Sequence, residues 1–207
     1  MKTLIIKYLP GREISNTNKL YNYLIEKLGK NDVTEIDLEK TPPVFFDNSK
    51  LMAYYQRNYQ GKPLSEEQKN QMAVIDDFTN NVKEADVVIV FSPMHNFGMP
   101  GIIKTWFDNV IQKGIAFEYG PKGPYGMFNG KKALTVYTSG GAYSTEKVTV
   151  NFPEWDTFNM LSKIEFGFMG FSEIEVVSAS TGNPEKIEGN INEAKNKISE
   201  IITKWIN

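Results

Sequence analysis

Short, nearly unbroken apolar runs alternate along this chain with longer segments whose apolar residues recur every three or four positions. The runs predict strands and the recurrences predict helices. Residues 2–7, with a β-branched centre, predict a short buried strand. Residues 17–28 carry apolar or aromatic side chains at 20, 21, 24, 25 and 28, a helical spacing. Residues 34–38 predict a weaker second strand. From 39 to about 62 the periodicity fades around Thr41-Pro42-Pro43, which predicts an irregular excursion. Ser65-Glu66-Glu67-Gln68 has the form of a capping box, with Ser65 as N-cap and Gln68 reaching back, and predicts a helix to about Lys83. Residues 86–92 (DVVIVFS) are almost wholly apolar, the pattern of a strand buried on both sheet faces.

Pro100 suits the first turn of the next helix, whose buried stripe is Ile102, Ile103, Trp106, Phe107, Val110 and Ile111. Gly114 is the expected stop. Residues 115–130, rich in Gly, Pro and aromatics, predict a long structured loop. A fourth strand follows at 133–138, a helix at 158–169, a fifth strand at 173–178 and a last helix at 184–206. No linker, repeat or low-complexity stretch divides the chain, so residues 1–207 are expected to form one domain. Alternating strands and helices, with strands too apolar for a half-exposed sheet, predict an α/β architecture: a doubly wound, five-stranded parallel sheet with helices on both faces. Ligands bind such sheets beyond the C-terminal ends of the strands. The loops after strands one, three and four are therefore where chemistry is expected.

Composition narrows the chemistry. Lys plus Arg is 23 and Asp plus Glu is 25, a formal net charge of −2. Neither a basic excess nor a basic stripe is present to displace counterions from phosphates, so no nucleic-acid partner is expected. With no cysteine, disulfides, thiolate nucleophiles, Cys-based zinc sites and iron–sulfur ligation all fall away. The single histidine, His95, excludes a His-rich metal site, and no metal is expected. No apolar run approaches the roughly 18 residues that span a bilayer, so the expectation is a cytoplasmic protein without a membrane partner. Aromatic residues make up 13% of the chain, enough either to fill a large core or to line a flat apolar site.

No G-x-G-x-x-G follows a strand, and Gly126-Met127-Phe128-Asn129-Gly130-Lys131-Lys132 fails as a P-loop. It is one residue short, lacks the Ser/Thr for magnesium and precedes a strand. After strand one come Ser15-Asn16-Thr17-Asn18 at a helix start. They fit ordinary capping first, and also an anion site, where free N–H groups and the dipole hold a phosphate while Ser15 and Thr17 donate hydroxyls. After strand three comes Met94-His95-Asn96-Phe97-Gly98, and after strand four Thr138-Ser139-Gly140-Gly141. A planar heteroaromatic ring fits between two such loops. Asn96 offers donor and acceptor to a ring edge, and Gly140-Gly141 permits close backbone approach. Each also serves simply as a turn.

Together these residues resemble the FMN-dependent NADH:quinone oxidoreductases that also reduce azo dyes. The likeness is carried by Ser15-Asn16-Thr17-Asn18, Pro93-Met94-His95-Asn96-Phe97 and Thr138-Ser139-Gly140-Gly141. Lys104-x-Trp106-Phe107-Asp108 and Gly114-x-x-Phe117-x-Tyr119 through Gly123-Pro124-x-Gly126 to Gly130-Lys131-Lys132 match in order and spacing. The resemblance implies a flavodoxin-like fold, a homodimer, non-covalent FMN, and NADH or NADPH as co-substrate with a quinone or azo acceptor. By similarity, Ser15, Asn16 and Thr17 hold the phosphate. Met94, His95, Asn96 and Phe97 meet the isoalloxazine and ribityl region, and Thr138, Ser139, Gly140 and Gly141 the pyrimidine side. Two positions depart from the family's pattern: Leu9 stands where a serine is common, and the Ser-Arg of many relatives is Thr138-Ser139 here, which removes a positive charge.

The hydride chemistry belongs to the flavin, and no residue is a certain acid or base. His95 is a candidate either for proton transfer or for flavin contact. Phe117 and Tyr119 are candidates for the wall of a substrate slot, or for an anchor of the 115–130 loop. With one slot and no separate dinucleotide fold, donor and acceptor are expected to take turns in a ping-pong scheme. The dimer expectation draws on Trp106, Phe107 and the 115–130 loop as apolar surface. Two other classes compete: a flavodoxin-type electron carrier without its own substrate site, and a hydrolase. The carrier is opposed by the extra aromatic loop, the hydrolase by the lack of any hydrolytic constellation.

Overall fold

A computed structural model describes residues 1–29, 32–143 and 155–206. In chain order the elements are β1 (Thr3–Lys7), α1 (Asn16–Leu28), β2 (Val33–Asp37), α2 (Asn48–Tyr54), α3 (Glu66–Glu84), β3 (Val87–Pro93) and α4 (Gly101–Val110). They continue with β4 (Phe117–Gly120), β5 (Gly123–Gly126), β6 (Lys132–Ser139), α5 (Thr157–Phe168), β7 (Glu173–Ser180) and α6 (Ile187–Ile206). Five strands pair in parallel in the order β2-β1-β3-β6-β7. The chain winds outward from β1 to β2, then returns past β1 to β3 and winds the other way. That reversal opens a crevice between the C-terminal ends of β1 and β3, the ligand position in doubly wound sheets.

Both faces of the sheet are covered, which explains why its central strands are apolar at successive positions. Leu4, Ile6, Val88 and Val90 face one layer, packing with Phe78 and Val82 of α3 and with Ile103 and Trp106 of α4. Ile5, Val87, Ile89 and Phe91 face the other, against Leu20 and Leu24 of α1 and Ala194 and Ile198 of α6. The capping box at α3 forms as its sequence predicts: Ser65 Oγ accepts from Gln68 N–H at 3.2 Å, and Gln68 Oε1 accepts from Ser65 N–H at 2.9 Å.

Four local expectations are corrected. Residues 39–62 are not wholly irregular, because Asp47 caps α2 by accepting from Lys50 N–H at 3.0 Å, and one π-helical turn (Tyr55–Tyr59) continues it. Only Ala53 of α2 is buried, so no apolar stripe marked the helix. The stretch 115–130, expected as a long structured loop, contains regular strands. It holds the antiparallel hairpin β4–β5, turned by Pro121-Lys122 between the paired Gly120 and Gly123. α4 ends at Val110 rather than near Gly114, and Gly114 (φ 81°) instead turns its N–H onto Phe117 O at 2.7 Å. Trp106 and Phe107 are fully buried and offer no surface for an interface.

Candidate functional site

After β1 the backbone takes a short 3-10 turn, Arg12–Ile14, and enters α1 with Ser15 as N-cap. Ser15 Oγ accepts from Asn18 N–H at 3.4 Å, a long and therefore weak cap. The first N–H groups of α1 have no acceptor within the helix, and its first turn has no acidic residue. An anion is thus favoured there by both the dipole and free donors. Asn16 is half-buried, its side-chain oxygen accepting from Lys19 Nζ at 2.9 Å. Thr17 is different. Its side chain is fully buried and its hydroxyl lies 2.6 Å from that of Thr138, so Thr17 offers an anion its backbone N–H.

After β3, His95 and Gly98 exchange backbone hydrogen bonds, each 3.0 Å, around Asn96 and Phe97. Asn96 (φ 45°) and Phe97 (φ 71°) both have positive φ, as the tight I′ hairpin turn requires. Asn tolerates this conformation, but a bulky Phe there is a real outlier. Strain of this kind persists where the surroundings over-determine it, and it collects at ligand sites. Beyond these two, the only other non-glycine residue with positive φ among the described residues is Arg12 (φ 48°), in the loop after β1. Arg12 is exposed and brings a fixed positive charge to that loop, a feature the sequence reading passed over.

The loop after β6 is tied to both others. Thr138 O accepts from Met94 N–H at 2.8 Å, and the Thr138 hydroxyl meets Thr17. Ser139 Oγ donates to Gly141 O at 2.7 Å, closing a small turn. A Cβ on Gly140 would meet nothing within 4 Å, so the backbone there stands open to a ligand. The loop is backed by residues the sequence reading missed. Thr181 N–H donates to Ser139 O at 2.8 Å, and a Cβ on Gly182 would lie 1.8 Å from Gly140 O. The signal was Thr181-Gly182 at the end of the fifth strand, another C-terminal strand end.

The start of α5 also joins the site. Thr157 Oγ1 donates to Phe97 O at 2.6 Å, and the Trp155 ring meets Phe97 edge-on with centroids 4.6 Å apart. Asp156, almost wholly buried, caps α5 by accepting from Asn159 N–H at 3.1 Å and takes the Tyr137 hydroxyl proton donor at 2.5 Å. Burial, and then the bond to Asp156, push the Tyr137 phenol far above its ordinary range. His95 is exposed, its ring edge-on to Tyr8 at 5.8 Å. Within one chain the structure does not bring Phe117 and Tyr119 to these loops. Phe117 is buried 4.8 Å from the Phe168 ring, at the C-terminal end of α5, whereas the loops meet its N-terminal end. A twelve-residue helix separates them by about 18 Å. Tyr119 is exposed on the same hairpin.

No helix among the described residues is long and apolar enough to cross a membrane, and among them no group of three or more His, Cys, Asp or Glu is placed to hold a metal ion.

The same fold runs through known proteins. The chain is 32% identical, over 97% of each sequence, to an FMN-dependent NADH:quinone oxidoreductase from Haemophilus influenzae (strain PittEE). An azoreductase from Bacillus anthracis str. Sterne superposes with a TM-score of 0.87 at 26% identity, covering 99% of this chain and 100% of that one. An FMN-dependent NADH-azoreductase from Bacillus anthracis str. Ames Ancestor, solved in complex with FMN, shares the fold with a TM-score of 0.85 at 23% identity, covering 100% and 99%. The order of the five parallel strands, the loops gathered at their C-terminal ends and a family match over residues 1–202 agree, and the chain belongs to the family described by the flavodoxin-like fold.

Proposed function

We propose that this chain is an FMN-dependent oxidoreductase that passes two electrons from NADH or NADPH to quinones and azo compounds. The observation that carries the reading is the union of three loops at one end of the sheet, through the Thr17–Thr138 and Met94–Thr138 hydrogen bonds. They lie in a chain similar throughout its length to an FMN-dependent NADH:quinone oxidoreductase.

The residues present fit FMN. The N-terminus of α1 offers unpaired N–H groups and no carboxylate in its first turn, the donor set a phosphate needs. Beside Gly140 there is open space, with no atom within 4 Å of where a Cβ would lie, so a ligand can approach the backbone there. Neither 94–99 nor 138–143 contains an acidic residue to repel an electron-rich ring. In this reading Ser15, Asn16 and Thr17 hold the phosphate. Asn96 gives its amide to the ring edge, and Met94, His95 and Phe97 flank the ring. Backbone N–H groups at Gly140 and Gly141 steady negative charge on the pyrimidine side. Bound FMN supplies the two-electron chemistry. His95, exposed beside Tyr8, is the one imidazole available to move a proton at the mouth. Donor and acceptor share one slot in turn.

The active assembly in this reading is a homodimer working in the cytoplasm, where reduced nicotinamide is made, with each chain a single domain. Support for the dimer comes from a different surface than Trp106 and Phe107. Met160, Ile164 and Phe168 form an exposed stripe on α5, and Tyr119, Tyr125 and Met127 are exposed on and beside the hairpin. Apolar surface of this kind marks an interface. Sedimentation at micromolar concentration is expected to give twice 23.5 kDa, and a 23.5 kDa species alone refutes the dimer.

The test of the function is direct. Heating the purified protein and chromatographing the released cofactor is expected to yield FMN, and NADH oxidation coupled to a quinone is expected with the intact protein. FAD as the main species, or no flavin, overturns the reading. Flavin without coupled turnover reduces it to an electron carrier.

A further inference from the structure

Three consecutive residues, Trp155, Asp156 and Thr157, are fastened by different interactions to the turn after β3 and to strand β6. The Trp155 ring packs edge-on against Phe97. Asp156 is held by Tyr137 on β6, whose ring in turn stacks on Phe158 with centroids 4.6 Å apart. The Thr157 hydroxyl donates to the carbonyl of Phe97. Gly98 completes the fit, since a Cβ there would lie 2.9 Å from Thr157 Oγ1. The start of α5 is therefore locked onto the strained turn after β3.

Tyr143 reaches the same Phe97 ring from the loop after β6, edge-on at 5.6 Å. The planes of Trp155 and Tyr143 stand at 82° and 79° to that of Phe97, so the three rings make an aromatic corner. Phe97 remains 44% exposed, and Trp155 and Tyr143 are partly exposed. A flat ring entering such a corner lies offset against one wall and edge-on to another, the two arrangements aromatic pairs prefer. None of the three side chains carries a charge, which suits a neutral fused ring.

We propose that Trp155, with Tyr143 and Phe97, receives the ring system of a fused aromatic quinone and is a specificity-determining residue for the electron acceptor. The proposal rests on the flavin site described above. It assigns no part of the electron transfer to Trp155, whose work is to hold the acceptor ring against the slot.

Trp155→Ala, Trp155→Phe and the unaltered holoenzyme are compared with 1,4-naphthoquinone and with ferricyanide, which has no aromatic face. Trp155→Ala is expected to lower kcat/KM for the naphthoquinone tenfold or more, with less than a twofold change for ferricyanide, and Trp155→Phe to recover most of the loss. A second readout is independent of turnover. Trp106 and Trp205 are buried, so quenching of tryptophan fluorescence by anthraquinone-2-sulfonate is expected to report chiefly on Trp155 and to vanish in Trp155→Phe. Equal losses for both acceptors, or quenching unchanged in Trp155→Phe, overturn the proposal while leaving the FMN reading intact. Failure of the unaltered protein to bind FMN overturns both.

Discussion

Thr17 and Thr138 lie 121 residues apart, yet their hydroxyls meet at 2.6 Å in the protein interior. The contact joins the first turn of α1 to the end of β6, and so ties the helix terminus proposed to hold the phosphate to the loop after β6. Replacing either by valine keeps the shape but strands the partner hydroxyl, at a cost of about 1–3 kcal/mol. Denaturant unfolding of Thr17→Val, Thr138→Val and the pair is expected to show the double variant less destabilised than the sum of the singles. Strict additivity would mean the two hydroxyls do not cooperate.

Asn96 has a positive φ, and in the proposed reading its amide also meets the ring edge. Asn96→Ala is expected to lose about 1 kcal/mol of stability from the left-handed backbone and about 1–3 kcal/mol of FMN affinity from the missing amide. Asn96→Gly accepts the backbone without strain, so it should keep stability and still bind FMN poorly. Flavin fluorescence titration beside thermal unfolding distinguishes the two. Normal FMN affinity in the glycine variant would remove the amide from the site.

Tyr137 predicts an alkaline effect. Its phenol is held protonated in the fold, above the ordinary value of 10.0, by burial first and then by Asp156. Once pH passes the ordinary value the unfolded chain gives up this proton while the folded chain keeps it, so stability is full below about pH 10 and falls above it. Tyr54, pushed up to about 12 mainly by burial, acts in the same direction in every variant. Unfolding midpoints from pH 9 to 11 should decline less steeply for Tyr137→Phe than for the unaltered protein. Parallel declines would contradict the assignment.

The docking of the β4–β5 hairpin depends on two glycines. A Cβ on Gly126 would lie 2.1 Å from Gly170 N and 2.2 Å from Met169 C, both backbone atoms that cannot step aside cheaply. Gly126→Ala is expected to destabilise by about 1–3 kcal/mol or more, the range for overpacked sites, with hydrogen exchange rising first in the hairpin. A variant as stable as the parent would show that the hairpin can ride up on Gly170.

A shared slot predicts kinetics. Hydride transfer needs reacting atoms about 3–3.5 Å apart, so in the proposed reading reduced nicotinamide and acceptor reach the same open face. Oxidised nicotinamide then has to leave before a quinone enters. Initial rates at several fixed acceptor concentrations should yield parallel double-reciprocal lines, and NADH alone should bleach the flavin. Intersecting lines would require a second binding position.

Wherever the chain obeys a simple period, its sequence was legible. The continuous apolar runs of β1, β3 and β6 required burial on both faces, and that forced helices onto both sides of a parallel sheet. The capping box at Ser65 and Gln68 was equally plain, because it is satisfied within four residues. The 3-10 turn, α2 and the hairpin were not, because their buried contacts are few or lie far along the chain.

The residues of the three loops could be named from sequence, since they follow strand ends and carry hydroxyls, amides and glycines. Which way each side chain points could not. Thr17 looked like a ligand hydroxyl until β6 brought Thr138 beside it. Phe117 and Tyr119 sit near the loops in no linear sense, and α4 and α5 carry them to the other end of the sheet. Asp156 and Trp155 had no motif, and they gained meaning only when α5 packed its first turn against Phe97 and Tyr137. Local chemistry and periodicity are written in neighbouring residues, so the sequence alone determined the strands, most helices and the loops that matter. Contacts between residues 19 to 121 apart depend on how the sheet twists and the helices pack, and only the tertiary structure decided them.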